Sequence, residues 1–104
     1  MTERLRKLIE MSEKSETDFL LFAMAKEYEA NSDLINAQKC YEKLLANYAE
    51  YIATYYHYAV LLQQINEPIK ANTIIETGIQ YCQKVGDRHS ESELRSLLYN
   101  DDLD

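Results

Sequence analysis

An all-α fold is the prediction, and three observations carry it. Apolar residues recur at three- and four-residue intervals along nearly the whole chain, as one buried face of a helix requires. No run alternates apolar and polar residues in the valine- and threonine-rich manner of a strand. The pattern also repeats. Ala25 and Ala59 stand 34 residues apart, as do Ala37 and Ala71, and the large residues around them coincide at the same shift: Leu21 with Tyr55, Tyr28 with Leu62, Tyr41 with Ile75, Leu45 with Ile79. A helix pair with a small residue in each member, recurring at that period, is the mark of a stacked helical repeat.

Length and composition bound the rest. The 104 residues suffice for one small domain with a single core. A net charge of −7 repels phosphates and anionic headgroups, which argues against nucleic acid and against a membrane surface. No segment approaches the ~20 apolar residues of a membrane span. Cys40 and Cys82 lie in expected helices without a CxxC spacing, where small buried thiols are common. Residues 1–16 are charged from the third position and hold no long apolar run, so no export signal is read there and the cytoplasm is the expected location.

In chain order, Thr2 is placed to cap a first helix reaching about Lys14, with Leu5, Leu8 and Ile9 as its single apolar stripe. Ser15 and Asp18 have the spacing of a capping box for a second helix over residues 16–30, whose main stripe is Leu21, Met24, Ala25 and Tyr28. Asn31 is expected to end it in the left-handed region, and Ser32 to cap a third helix reaching about Asn47. There Leu34, Ala37, Tyr41, Leu44, Leu45 and Tyr48 point inward, and Ala25 and Ala37 let the paired backbones approach. Residues 47–51 make the weakest break. The fourth helix, over residues 50–65, has apolar residues on more than one stripe, as an element covered on two sides should. Asn66 is expected to cap the fifth helix, Pro68 falls in its first turn, and Ile69, Ala71, Ile74, Ile75 and Ile79 carry it towards Val85. Gly78 within it costs roughly 1 kcal/mol relative to alanine, so close packing against a neighbour is the expected reason for it. Gly86 ends that helix and Asp87 caps a sixth, striped by Leu94, Leu97 and Leu98, before an acidic tail at 100–104.

The 34-residue helix–turn–helix period, its small and large residues, and the phrases A-x-E-Y at Ala25 and A-x-x-x-Y-E-K-L-L at Ala37 resemble the tetratricopeptide repeat family. The likeness covers residues 18–51 and 52–85 as two repeats, flanked by an N-terminal packing helix and linker at 1–17 and a C-terminal capping helix at 86–99, all in one domain. The ending Gly86-Asp87-Arg88-His89 with Glu93-Leu94 is similar to small, free-standing bacterial members. The chain departs from the family at Ala25 and Ala59, where glycine is usual, and at Gly78, where alanine is usual. The resemblance implies about six helices in antiparallel pairs, stacked as a short right-handed superhelix, an α-solenoid; no catalytic activity, cofactor or metal is expected, because the residues offer no constellation for one.

It also implies a concave groove lined by the first helix of each repeat and binding a peptide or helix segment. Carried over, the groove candidates are Phe19, Phe22, Lys26 and Glu29 from the first repeat and Ala53, Tyr56, Val60 and Gln63 from the second. Exposed aromatic residues on such a surface suit partner recognition. Only Lys26 is basic among them, so a clamp for a terminal carboxylate is not expected and an apolar or mixed segment fits better. No nucleotide-binding, metalloprotease or nucleophile-elbow motif occurs, His57 has no ligand-spaced companion, and His89, at a helix start, is read as structural. The expected partner is therefore a protein or peptide. The alternatives are a self-assembling unit, whose groove a second copy covers as a homodimer, and an RNA-binding repeat, which would need a basic face.

Overall fold

The computed structural model describes residues 1–98 and is all-helical, with six helices and no strand among them. They fall into two compact units, Met1–Tyr51 and one beginning at Ile52, the residue that opens the second copy of the sequence pattern. No helix among the described residues is long and apolar enough to cross a membrane. The acidic tail and residue 99, the expected end of the C-terminal helix, lie outside the described residues.

The first unit holds α1 (Glu3–Lys14), α2 (Asp18–Ala30) and α3 (Leu34–Asn47). Thr2 caps α1 as expected, its hydroxyl accepting from the Leu5 N–H at 3.1 Å. Helix α1 packs on α2 through buried Leu5 and half-buried Leu8 and Ile9, and Arg4 ties it to Glu27 at 3.1 Å. Helices α2 and α3 form the tightest pair of this unit, and Ala25 and Ala37 are both fully buried in it. With only a methyl on each, the two backbones come close without a void. Leu20, Leu21, Cys40, Tyr41 and Leu44 are also buried in this unit, while Met24, Tyr28, Leu34, Leu45 and Tyr48 are half-buried.

The second unit holds α4 (Ala53–Gln64), α5 (Pro68–Val85) and α6 (Arg88–Leu97), each packing on the other two. Ala59 and Ala71 are fully buried, as their counterparts are. Helix α4 buries Thr54, Tyr55, Tyr58, Leu61 and Leu62, more than one stripe. Gly78 explains itself by geometry: a Cβ there would stand 2.6 Å from the Tyr55 Cβ and 2.9 Å from the Leu94 Cδ1. Three helices meet at that point, and only hydrogen fits.

The turns correct the sequence reading in a consistent way. Ser32, not Asn31, takes the left-handed conformation (φ 60°), and Asp33, not Ser32, caps α3, accepting from the Asn36 N–H at 3.2 Å. The Asp33 N–H donates back to the Tyr28 carbonyl at 2.9 Å and the Ser32 N–H to Glu29 at 2.9 Å. This pair of bonds is the Schellman closure, which fixes the left-handed residue one place before the next cap. The second turn repeats it 34 residues on: Asn66 has φ 64°, Glu67 N–H donates to Leu62 at 2.8 Å and Asn66 N–H to Gln63 at 3.1 Å. Asn66 is thus the left-handed residue rather than the cap, and Pro68 opens α5. Gly86 (φ 77°) and Asp87 close α5 in the same manner, and Asp87 caps α6 as expected.

Other boundaries move for local reasons. Thr17, not Ser15, caps α2, its hydroxyl accepting from the Leu20 N–H at 3.1 Å. Ser15 instead ends α1, its own N–H bonded to Met11. Helix α4 begins at Ala53 rather than at Glu50, because Tyr51 turns back onto the Tyr48 carbonyl at 2.9 Å and no side chain caps the start. Ile69 is 71% exposed, not inward as expected, since it sits in the first turn of α5 before Ala71 reaches the pair. Leu98 lies past the end of α6 and is exposed.

Candidate functional site

On α2 the buried residues are Leu20, Leu21 and Ala25, and one flank of the helix lies outside that set. A helix turns 100° per residue, so Phe19, Phe22 and Lys26 share that flank and Glu29 lies at its border with α3. Phe19 is 64% exposed. Phe22 is half-buried, its ring 5.6 Å from that of Tyr51 and tilted by 51°. Tyr51 therefore belongs to this face, although it follows α3 and no helical spacing connects it to Phe22.

Glu29 is held inside the unit. The fully buried Tyr41 donates its hydroxyl to the Glu29 carboxylate, and Lys26 Nζ stands 3.7 Å from the same group. Burial, followed by this bond to an anion, pushes the Tyr41 hydroxyl well above the usual phenol range, so it stays a donor at any ordinary pH. The predicted binding carboxylate is thus also a clasp between α2 and α3. Its link to a tyrosine on the next helix, across the turn, leaves no mark in the spacing of either residue.

On α4 the corresponding flank carries Ala53, Tyr56, Val60 and Gln63. Ala53 and Tyr56 line an open cleft of about 390 Å³ between α4 and α6, at the low end of the ~300–1,000 Å³ of small-ligand pockets. Its apolar lining includes Ile52 and Leu94, His57 lines it from α4, and Asp87, the cap of α6, and Ser90 and Glu93 within α6 complete it. The Tyr56 ring meets His57 edge-on, with centroids 5.5 Å apart. Val60 is half-buried further along the helix. Gln63 reaches α6, its Nε2 donating to the Leu97 carbonyl at 2.6 Å. That carbonyl is one of the last four of α6, which have no partner inside the helix, so Gln63 fastens the end of α6 to α4.

The structure thus brings together Phe19, Phe22 and Lys26 in the first unit and Ala53 and Tyr56 in the second. Glu29 and Gln63, equivalent at the 34-residue shift, are each bonded within their own unit. Sequence spacing misses the α6 side of the cleft, although the cap signal at Asp87 was legible.

The charges nearby are structural in character. The bond from the Ser90 N–H holds the Asp87 carboxyl below its usual range, and Asn36 does the same for Asp33. Burial pushes the Cys40 thiol up to about 11, so it is not an activated nucleophile, and Cys82 is raised for the same reason. Among the described residues no three His, Cys, Asp or Glu side chains are grouped to hold a metal ion. What the faces offer is aromatic and apolar area with a few charges at the edge. Comparison of the chain with protein-family models, with curated proteins and with solved structures found no match.

Proposed function

We propose that this chain is a tetratricopeptide-like helical-repeat protein, an α-solenoid in kind, acting as a non-catalytic interaction module. Its ligand is a peptide or helix segment of a protein partner, received in a groove on the first-helix faces of the repeats. The observation that carries this reading is the aromatic flank of α2. Phe19 stands 64% exposed beside half-buried Phe22 on a face that neither neighbouring helix of its unit fills. The repetition of the Schellman turn at Ser32 and Asn66 supports the repeat itself, since backbone conformation recurs at the same 34-residue shift as the sequence.

Affinity would come from desolvating the aromatic anchors, since truncating one central aromatic typically costs 2 kcal/mol or more at an interface. The test is capture of partners from lysate by the wild-type chain and by a double variant, Phe22→Ala with Tyr56→Ala. Capture should vanish while the thermal unfolding of the variant stays cooperative. Persistent capture by a folded double variant refutes the assignment. Sedimentation over a range of concentrations checks the other occupant: a stable dimer that shields Phe19 makes the face a contact between copies.

A further inference from the structure

We propose that the cleft between α4 and α6 takes a lysine or arginine set beside an apolar side chain in the partner segment. This rests on the interaction-module reading and names the partner chemistry at one of its faces. The cleft has two kinds of wall. Ala53, Leu94 and the ring of Tyr56 supply apolar and aromatic area, and Asp87 and Glu93 supply negative charge. Among the described residues no lysine or arginine lines it, and His57 is the basic side chain in its wall.

The carboxylates keep capacity for a cation. One oxygen of Asp87 accepts from the Ser90 N–H at 3.0 Å, and one of Glu93 lies 3.5 Å from His89 Nε2. A carboxylate offers about four acceptor sites, so each has room for a further donor. The Glu93 side chain is 51% exposed and therefore reachable. The Tyr56 side chain in the same lining also suits a cation, which is drawn to the aromatic quadrupole as well as to the anions. An anionic segment is disfavoured twice. Both carboxylates repel it, and the Ser90 N–H at the α6 N-terminus is already taken by Asp87.

The experiment titrates the labelled full chain with two short synthetic peptides of one apolar sequence, carrying either two lysines or two glutamates at the same places. The lysine peptide should move the amide resonances of Ala53, Tyr56 and Ser90, and the glutamate peptide should not. Glu93→Lys, at an exposed position that leaves the Asp87 cap intact, should weaken the lysine peptide by about fivefold, the upper range for an exposed ion pair, at unchanged thermal stability. Salt at about 1 M, where the Debye length is about 3 Å, should weaken it similarly. Equal shifts with the glutamate peptide overturn the charge preference and leave the interaction reading standing. Absence of shifts with both peptides overturns the cleft as the site, and the capture experiment with Phe22 and Tyr56 then judges the broader reading separately.

Discussion

Replacing Gly78 by alanine sets two opposed effects against each other, and the structure fixes which prevails. Position 78 lies inside α5, where alanine is favoured over glycine by about 1 kcal/mol because it loses less backbone entropy. The added Cβ, however, would sit 2.6 Å from the Tyr55 Cβ, 2.8 Å from the Tyr55 Cγ and 2.9 Å from the Leu94 Cδ1. Carbon atoms settle at about 3.5–4.0 Å, so each neighbour must retreat by about 1 Å. Leu94 can do so by changing rotamer. The Tyr55 Cβ cannot, since it is bonded directly to the α4 backbone, and α4 must move away from α5. Overpacking of this kind costs about 1–3 kcal/mol, and the backbone-linked contact puts it in the upper part of that range. The net expectation for Gly78→Ala is a loss of about 1–2 kcal/mol. At about 4–8 °C per kcal/mol for a chain of this size, thermal unfolding followed by circular dichroism should show a fall of roughly 5–15 °C. Gly86→Ala is the control, because nothing lies within 4 Å of a Cβ there and only its φ of +77° opposes the change. An alanine at 78 that stabilises the protein by its propensity alone refutes the close approach of the three helices.

Three further outcomes follow from the turns and the buried hydroxyls. Ser32→Gly should stabilise by about 1 kcal/mol, because an ordinary L-residue pays that much in the left-handed region; Asn66→Gly should gain less, since asparagine tolerates it, and urea unfolding ranks the two. Tyr41→Phe removes a bond to the Glu29 carboxylate, and a loss of about 1.5 kcal/mol is expected, at the low end for bonds to charged groups; an unchanged midpoint refutes the clasp. Alkaline stability should fall in steps. Burial raises the folded-state Cys40 thiol to about 11 from 9.0 and the Tyr55 hydroxyl to about 12 from 10.0. A folded value above the unfolded one means the stability is complete below the unfolded value and is lost as pH rises through the folded one. Decline should therefore begin above pH 9 and steepen between 10 and 12, and a denaturation midpoint constant across that range refutes it.

Helix pairing was legible in the sequence because close packing restricts side-chain size: Ala25, Ala37, Ala59 and Ala71 are fully buried where two backbones approach, and a repeat must keep them small. The turns were harder to read. Asn31, Ser32 and Asp33 are all competent for a cap or a left-handed residue, so local chemistry does not choose among them. The signal that does choose is the 34-residue register, which aligns Ser32 with Asn66 and places the left-handed residue at both. Side-chain pairings such as Tyr41 with Glu29 and Phe22 with Tyr51 stayed hidden, because they join residues on different elements of opposite or no periodicity.

The same register also relates the polar ends of the two flanks. Glu29 and Gln63 occupy equivalent positions at the end of the two flanks, and each polar end group is spent on holding another helix, Tyr41 of α3 in one unit and the Leu97 carbonyl of α6 in the other. A side chain committed to such a bond recognises a ligand only by giving the bond up, which costs about 1–3 kcal/mol if the old partner is left unsatisfied. In the proposed module recognition would then fall to the positions before them: Phe19, Phe22 and Lys26 on α2, the last already within 3.7 Å of Glu29, and Ala53, Tyr56 and Val60 on α4. Five of these six are apolar or aromatic and one is cationic, so apolar contact would dominate on both flanks. In that reading a discriminating negative charge on the α4 side would come from outside α4, and Asp87, the cap of α6, and Glu93 within it are the groups placed to supply it. A variant that exchanges Lys26 for glutamate should then alter binding at the α2 flank without moving the Ser90 amide, whereas Glu93→Lys should do the reverse.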